Sequence, residues 1–450
     1  MRSLVALCLI ACSLGVLADD GAASSYTDLW QLHQEAQGAD PRILRAQALT
    51  RSGEGNERAA FGQLLPQLNA SGSVNRSRRE DELSRIQYNG KRVAVMLNQV
   101  IYDPQVWRSY QRYVELARQS QYESDDTQVQ ASIDLSERYF AVLAAEDELS
   151  LVRSELDATE RNLKRVHALY ARQMAMVTDT LDLEARVDAL KADEIEARNK
   201  VEVSREAISE LVGREVREPF KRIADNPVFS LPAQAQDYWV QTALDSNPAL
   251  HAREHSIRAA EAAIGEARAG HLPRLGLNLT AQRSDIGYEG ALAPRSDNLV
   301  ASLDLQMPLY SGGSTRARVS SSESEKEVAQ QELEALRRQV IKETRTAYLG
   351  MSAELSRIKA TRRALESAEK SRIATEKAFA YGVKNAVDVL DTIQAEFRAR
   401  RDFFQSQYRF VTSLLVLHRW SGRLGEPDIR KANDWLVAPA SSDARSKNSG

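Results

Sequence analysis

Between Pro104 and Pro219 the chain has no proline, and its first glycine in that interval is Gly213. A stretch this free of helix breakers, running from Gln105 to Tyr170, is predicted to be one helix, a rod of about 100 Å at about 1.5 Å per residue. Within it Leu149, Val152, Leu156, Thr159, Leu163 and Val166 recur at alternating steps of three and four, the seam of a coiled coil. Glu155, Asp157, Glu160, Arg161 and Lys164 fill the faces between. A second stretch from Leu309 to Glu426 lacks proline and is punctuated only by Gly312, Gly313, Gly350, Gly382, Gly422 and Gly425. Two long rods in one chain, each preceded by strand-like segments, constrain the fold more than any other feature.

The balance of 60 basic and 63 acidic residues, a formal charge of −3 over 450 residues, gives no polyanion-binding surface and argues against nucleic acid. Residues 1–18 read as a secretory signal peptide: Arg2, an apolar run from Leu4 to Leu17, and small residues before Asp19. Both cysteines, Cys8 and Cys12, fall inside it, so the mature chain is expected to have neither disulfide nor thiol chemistry. Leu9-Ile10-Ala11-Cys12 also has the form of a lipoprotein processing site, the rival reading of this segment. No later segment has 18 consecutive apolar residues, the length of a membrane-spanning helix.

In order, Tyr26–Leu49 reads as helix interrupted at Asp40-Pro41, continuing toward Leu64-Leu65-Pro66. The period then becomes two. Leu68, Ala70, Gly72 and Val74 alternate with Asn69, Ser71, Ser73 and Asn75, a strand with one apolar and one polar face. The charged segment 76–92 is expected to be an exposed loop, and a second strand follows around Val93, Val95 and Leu97. After the first rod the helix slackens at 171–177 and resumes from Thr178 to Leu211. Residues 213–232, with Pro219, Pro227 and Pro232, form a break, and the pattern restarts. Asn247-Pro248 echoes Asp40-Pro41, and Leu272-Pro273 echoes Leu65-Pro66. A third strand (Leu275, Leu277, Leu279, Ala281), a loop and a fourth strand (Leu299, Ala301, Leu303, Leu305) lead into the second rod. The offset between copies is 207 at the prolines, 208 at Tyr102/Tyr310 and 209 at the aspartates described below, which marks a duplication. The expected organisation is a first repeat over 19–219, a second with equatorial segments over 220–436, and a disordered tail over 437–450.

Strands of about 9 to 11 residues suit a tilted crossing of a bilayer, with lipid on the apolar face and water on the polar one. Every backbone group must be paired in lipid, and about eight strands are the usual minimum for closure, so four per chain call for other subunits. The alternative is a soluble four-stranded meander.

The chain resembles the TolC family of outer-membrane efflux and secretion channels of Gram-negative bacteria. The resemblance rests on Asn247-Pro248 with Leu272-Pro273-Arg274-Leu275, on the run from Leu305-Gln306-Met307-Pro308-Leu309-Tyr310 through Ser311-Gly312-Gly313, and on Tyr381-Gly382 leading to Val387-Asp388-Val389-Leu390-Asp391. It implies a mainly α protein with β: long antiparallel coiled coils forming a periplasmic α-barrel, and four strands contributing to a trimeric twelve-stranded outer-membrane barrel. It also implies an equatorial collar near 219–238 and 424–436, a homotrimer set in outer-membrane lipid, a periplasmic adaptor and an inner-membrane transporter as partners, no cofactor and no catalysis. A purely structural periplasmic coiled-coil or adaptor-like protein is the alternative of a different class.

Asp388-x-x-Asp391 and its repeat partner Asp179-x-x-Asp182 each follow a slack segment, at a helix start. Carboxylates there serve as caps and dipole partners. The resemblance adds a second role: at the periplasmic tip three copies would form a carboxylate ring that binds cations, repels anions and raises its own pKa values. It also implies a closed-state latch. Thr178 and Asp179 match the first-repeat members; Lys384 and Phe379 stand at the positions of an arginine and a tyrosine, so the latch is expected to be weaker or differently built. Gln173 replaces a turn glycine that the second repeat keeps as Gly382. His251-Ala252-Arg253-Glu254-His255 has the spacing of a zinc-protease helix but is not duplicated, and is read as two surface histidines, so no metal site is expected. Tyr88, Tyr102, Trp107, Tyr288 and Tyr310 are candidates for the membrane interfaces.

Overall fold

A computed structural model describes residues 26–80, 82, 85–224, 227–285 and 295–438, with only the backbone of Ser77, Arg79, Ile86 and Tyr88. The signal peptide, both cysteines, Tyr288 and residues 439–450 lie outside the described residues.

The chain begins with α1 (Leu29–Ala39) and α2 (Pro41–Gly62). Asp40 separates them: its carboxylate accepts the Arg42 N–H at 2.8 Å as an N-cap, and Pro41 takes the first helical position, where no N–H is needed. Strands β1 (Gln67–Glu80) and β2 (Arg85–Tyr102) follow. Asp103 then caps α3 (Pro104–Tyr170), accepting the Gln105 N–H at 2.9 Å, and α4 (Val177–Val212) returns alongside it. After the short β3 (Arg222–Ile223) the series repeats as α5 (Gln236–Ser246), α6 (Pro248–Ala269), β4 (Arg274–Asp285), β5 (Ser296–Gln306), α7 (Ser314–Ala380) and α8 (Ala386–Trp420). The lengths repeat with the order: 11 residues in α1 and α5, 22 in α2 and α6, 67 in α3 and α7, 36 and 35 in α4 and α8. Asn247 caps α6 as Asp40 caps α2. The chain ends its described part with α9 (Glu426–Asn433) and β6 (Leu436–Val437).

One antiparallel sheet has the order β1-β2-β4-β5, so the central β2–β4 pair joins the two repeats. Of the segment expected as a loop at 76–92, residues 76–80 and 85–92 are strand instead: the β1–β2 register runs unbroken from Gln67↔Asn98 to Glu80↔Arg85. The charges mark residues that have left an apolar zone, while the ladder continues to satisfy their backbone groups. Directly opposed residues share a face. Leu68, Leu97, Leu279 and Ala301 form one row, Ala70, Val95, Ala281 and Leu299 the next; the other face carries Asn69, Ser71, Ser73, Thr280, Gln282, Asn298 and Ser302. In the single chain Leu299 is 85%, Leu305 70% and Leu68 69% exposed, an apolar face that nothing among the described residues covers.

The main core sits at mid-height of the rods. Leu29, Leu32, Tyr139, Phe140, Phe220, Met351, Phe410 and Ile429 meet there. The segments expected as a collar come together at this level: β3 pairs with β6, and Phe229 lies 4.8 Å from Phe410 and 5.2 Å from Trp435, ring centre to ring centre. Tyr139 donates to the Lys221 carbonyl at 2.8 Å, and Lys221 ion-pairs with Asp28 at 2.7 Å, which ties the N-terminal helix to the collar. The strand-to-helix joint at Gly312 and Gly313 has φ of 62° and 84°, the left-handed region that glycine adopts without a Cβ penalty.

Of the side chains singled out in the sequence, one reading changes. Trp107 (49% exposed) and Tyr310 (90%) are open, as an interface role needs, and so is Tyr102. His255, expected at the surface, is buried: Nδ1 lies 2.7 Å from a Glu115 carboxylate oxygen and the ring stacks on Tyr122. Its alternation with the apolar Ala252 and Ala259 turns it toward α3.

Candidate functional site at the helical tip

Both rods end in the same turn. Met174 N–H bonds the Leu169 carbonyl at 2.9 Å and Gln173 N–H the Tyr170 carbonyl at 2.8 Å; Val383 and Gly382 repeat this with Ala378 and Phe379 at 2.9 and 3.0 Å. This pair of bonds closes a helix end when the residue between is left-handed. Gly382 has φ 75°; Gln173, in the same position, has φ 58° and is the one non-glycine residue in that region among the described residues.

The next helices start on the aspartates. Asp388 N–H donates to Asn385 Oδ1 at 2.8 Å and Asn385 N–H donates to Asp388 Oδ2 at 3.1 Å, a reciprocal cap. In the first repeat Met176 N–H donates to Asp179 Oδ2 at 3.4 Å. Lys384 Nζ stands 3.3 Å from Asp388 Oδ1. The Asn385 N–H, and with it Lys384, holds the Asp388 carboxyl below the usual carboxylate range in the single chain. Asp182 and Asp391 lie one turn further on, exposed and without a hydrogen bond or ion pair among the described residues.

Of the expected latch, the structure brings one part across the two repeats. Phe379 packs on the cluster of Val166, Leu183, Ala386 and Leu390, and Arg165 of α3 lies 5.9 Å from its ring centre. Thr178 is exposed and makes no side-chain hydrogen bond among the described residues, and Lys384 is engaged with Asp388 of its own turn rather than with Thr178 or Asp179. Replacing a hydroxylated ring by phenylalanine turns a polar link into an apolar contact with a cation over its face.

The apolar seam of α3 is present, with Thr159 fully buried in it, but two polar residues beside it, Glu155 and Asn162, are also buried. Glu155 takes an ion pair from Arg186 at 2.5 Å. On α8, Glu396 is 4% exposed and is held by Arg372 and, at 3.0 Å, by Arg400. Asn162 is 5% exposed, and neither its Oδ1 nor its Nδ2 finds a partner among the described residues. It borders a cleft of about 450 Å³ between α3 and the α7–α8 pair, with Arg161, Arg165 and Phe397. Heptad counting missed Glu155 and Asn162 because it assigns one seam per helix, whereas α3 packs on α4 and on α8. Among the described residues no three histidine, cysteine, aspartate or glutamate side chains of one chain are placed to hold a metal.

A family model for outer membrane efflux proteins matches the chain twice, over residues 32–214 and 239–423, the two copies seen in the helix lengths. Outer membrane protein TolC of Vibrio cholerae is 28% identical over 97% of this chain and 99% of its own length. Alkaline protease secretion protein AprF of Pseudomonas aeruginosa is 26% identical over 94% of this chain and 89% of its own. The crystal structure of VceC, an outer membrane protein of Vibrio cholerae, superposes with a TM-score of 0.76 at 16% identity, covering 88% of this chain and 96% of that one. The fold, long antiparallel coiled coils with four strands per chain in a tandem repeat, is that of the protomer of these trimeric channels. The chain belongs to the outer membrane efflux protein family and is an exit duct of the Gram-negative outer membrane.

Proposed function

We propose that three copies of this duct close into one twelve-stranded barrel, each repeat (19–219 and 220–436) supplying two strands and one pair of rods. The observation that carries this reading is the β1-β2-β4-β5 sheet, apolar outside, polar inside, with a free edge on β1 and on β5. Lipid tolerates no unpaired edge, so another copy must supply the missing ladder. The rods continue the passage across the periplasm to a tip where a periplasmic adaptor docks, and an inner-membrane transporter provides the energy. The chain is a passage rather than a catalyst.

At that tip, three copies of Asp388 and Asp391 bring six carboxylates to the mouth. Asp388 is partly spent on its cap and on Lys384; Asp391 is not, and carries the larger share of the cation selectivity. Asp179 and Asp182 play the corresponding capping and lining parts in the first repeat. Phe379 with Arg165 is the contact that keeps the two hairpins together, with Lys384 restraining Asp388 and Thr178 facing the neighbouring turn. Opening separates the pairs by untwisting and is a population shift driven by the adaptor's preference for the open form.

Reconstituted channels with Asp388→Ala and Asp391→Ala are expected to show higher single-channel conductance or lower cation selectivity in planar bilayers. Asp391→Ala alone, which leaves the reciprocal cap intact, should carry most of the selectivity change. Traces identical to wild type would remove these residues from the gate.

A further inference from the structure

The β1–β2 hairpin is longer than a bilayer crossing requires. Its strands have 14 and 18 residues, where a tilted crossing takes about 9 to 11. Both strands meet the helices at their other ends, at Gln67 and Tyr102, so the Glu80–Arg85 end is the one farthest from the periplasm. Opposed residues share a face, so the register shows what the lipid side presents along this hairpin. It reads Leu68/Leu97, Ala70/Val95, Gly72/Val93, Val74/Lys91, Arg76/Asn89, Arg78/Gln87 and Glu80/Arg85. The apolar rows end at Val74. Lys91 stands level with Val74, and Arg76 and Arg78 follow immediately above on the same outward face.

These cations differ in what holds them. Arg78 is paired with Glu80 at 2.9 Å, and Arg283, one row below on β4, is tied to Asp297 at 2.7 Å. Lys91 and Arg76 are exposed and make no ion pair or hydrogen bond among the described residues; Asp285 faces Lys91 across β4 without pairing with it. They are diagonal neighbours on adjacent strands, a separation of about 7 Å that one tetrahedral anion can bridge. Two unpaired cations at the upper limit of a lipid-facing apolar band sit at headgroup depth, not in the tunnel. Arg92, by contrast, falls on the polar inner face opposite Ser73 and Ser284.

We infer that Arg76 and Lys91, with Arg78 behind them, form a binding site for the phosphomonoester headgroup of an acylated lipid in the outer leaflet, one per protomer. The apolar column below them, Val74, Val93, Val95 and Leu97, receives the acyl chains, and this continuity of charge with apolar surface selects a lipid over a free anion. The inference rests on the outer-membrane placement of the sheet but not on the gate assignment at the opposite end.

The test uses the full-length trimer in nanodiscs of phosphatidylcholine containing a minor fraction of lipid A, or of lipid A stripped of its phosphates, with bound lipid counted by native mass spectrometry. Wild type is expected to retain the phosphorylated lipid, and Arg76→Ser with Lys91→Ser to lose about thirtyfold in retention, from about 1 kcal/mol per cation near a charged surface. Arg76→Lys with Lys91→Arg should restore it, and the stripped lipid should not discriminate between the proteins. Heat-resistant migration as a trimer and unchanged conductance of the serine variant establish that the barrel is intact, so a loss of retention reports the site alone. Equal retention by wild type and the serine variant, or inorganic phosphate displacing the lipid at millimolar concentration, would overturn the site.

Discussion

At the scale of single residues, Gln173 is where the duplication and the backbone disagree. The two tips use the same turn, and the second fills its left-handed position with Gly382 at φ 75°. A side chain in that region costs roughly 1 kcal/mol or more because Cβ approaches the following carbonyl. Gln173→Gly is therefore expected to stabilise the first tip by up to about 1 kcal/mol, offset in part by glycine's greater freedom when unfolded. Hydrogen exchange over residues 169–180 of the detergent-solubilised protein should slow by a few-fold, with residues 378–390 unchanged. Faster exchange in the variant would mean that the glutamine side chain contributes a contact that outweighs its strain. Aligning the two repeats was enough to mark this position in the sequence. The buried amide of Asn162 was not legible there, because only packing against a third helix decides which polar residue beside a seam is enclosed.

At the scale of elements, helix and strand were legible for different reasons. Breakers and caps delimit the helices within one or two residues: Asp40-Pro41, Asn247-Pro248 and Asp103-Pro104 all start helices where a carboxyl or amide side chain followed by proline says they should. The strands were legible only where one face is apolar. Beyond Val74 the polarity rises and Asn89-Gly90 imitates a turn, yet Gly90 is inside β2, opposite Asn75, where an added Cβ would stand 2.2 Å from the Asn75 Oδ1. Polarity in this hairpin reports depth in the membrane, not chain reversal. The facing rows make a paired prediction. Leu279→Lys places a charge among Leu68, Leu97 and Ala301 on the lipid side, costing about 2–4 kcal/mol near the bilayer centre, and should sharply reduce heat-resistant trimer in outer-membrane fractions. Thr280→Lys, one residue on, falls among Asn69, Met96 and Val300 on the inner side, and should assemble normally while lowering cation selectivity. Equal assembly of both variants would show that the sheet does not separate lipid from water.

At the scale of the molecule, one chain is an incomplete object. A compact folded protein of 50.2 kDa is expected to expose about 17,000 Å², whereas this chain exposes 28,255 Å². Part of that surface lies along α7. In α7 the buried residues stop at Ile358, so the 22 residues from Lys359 through Ala380 include no buried position although they run beside α8. Apolar side chains on that helix stay open, with Val328 59%, Leu349 58% and Ile373 45% exposed. A helix with one flank packed and the other bare is the edge of an assembly, as β1 and β5 are the edges of the sheet. Closing the barrel at one end and the rods at the other asks for the same partner, a second copy related by rotation, since a heterologous contact that closes on itself yields a ring. Light scattering of the detergent-solubilised protein, corrected for bound detergent, should thus give three chains per particle. Cysteine introduced as Ile373→Cys should react with a bulky maleimide at least tenfold more slowly in that particle than in its heat-dissociated chains, because burial at the junction of protomers removes the thiol from solvent. A water-soluble monomer without detergent, or a trimer in which Cys at 373 labels as fast as in the separated chains, would mean that α7 faces solvent in the working state and that the rods are closed by another flank.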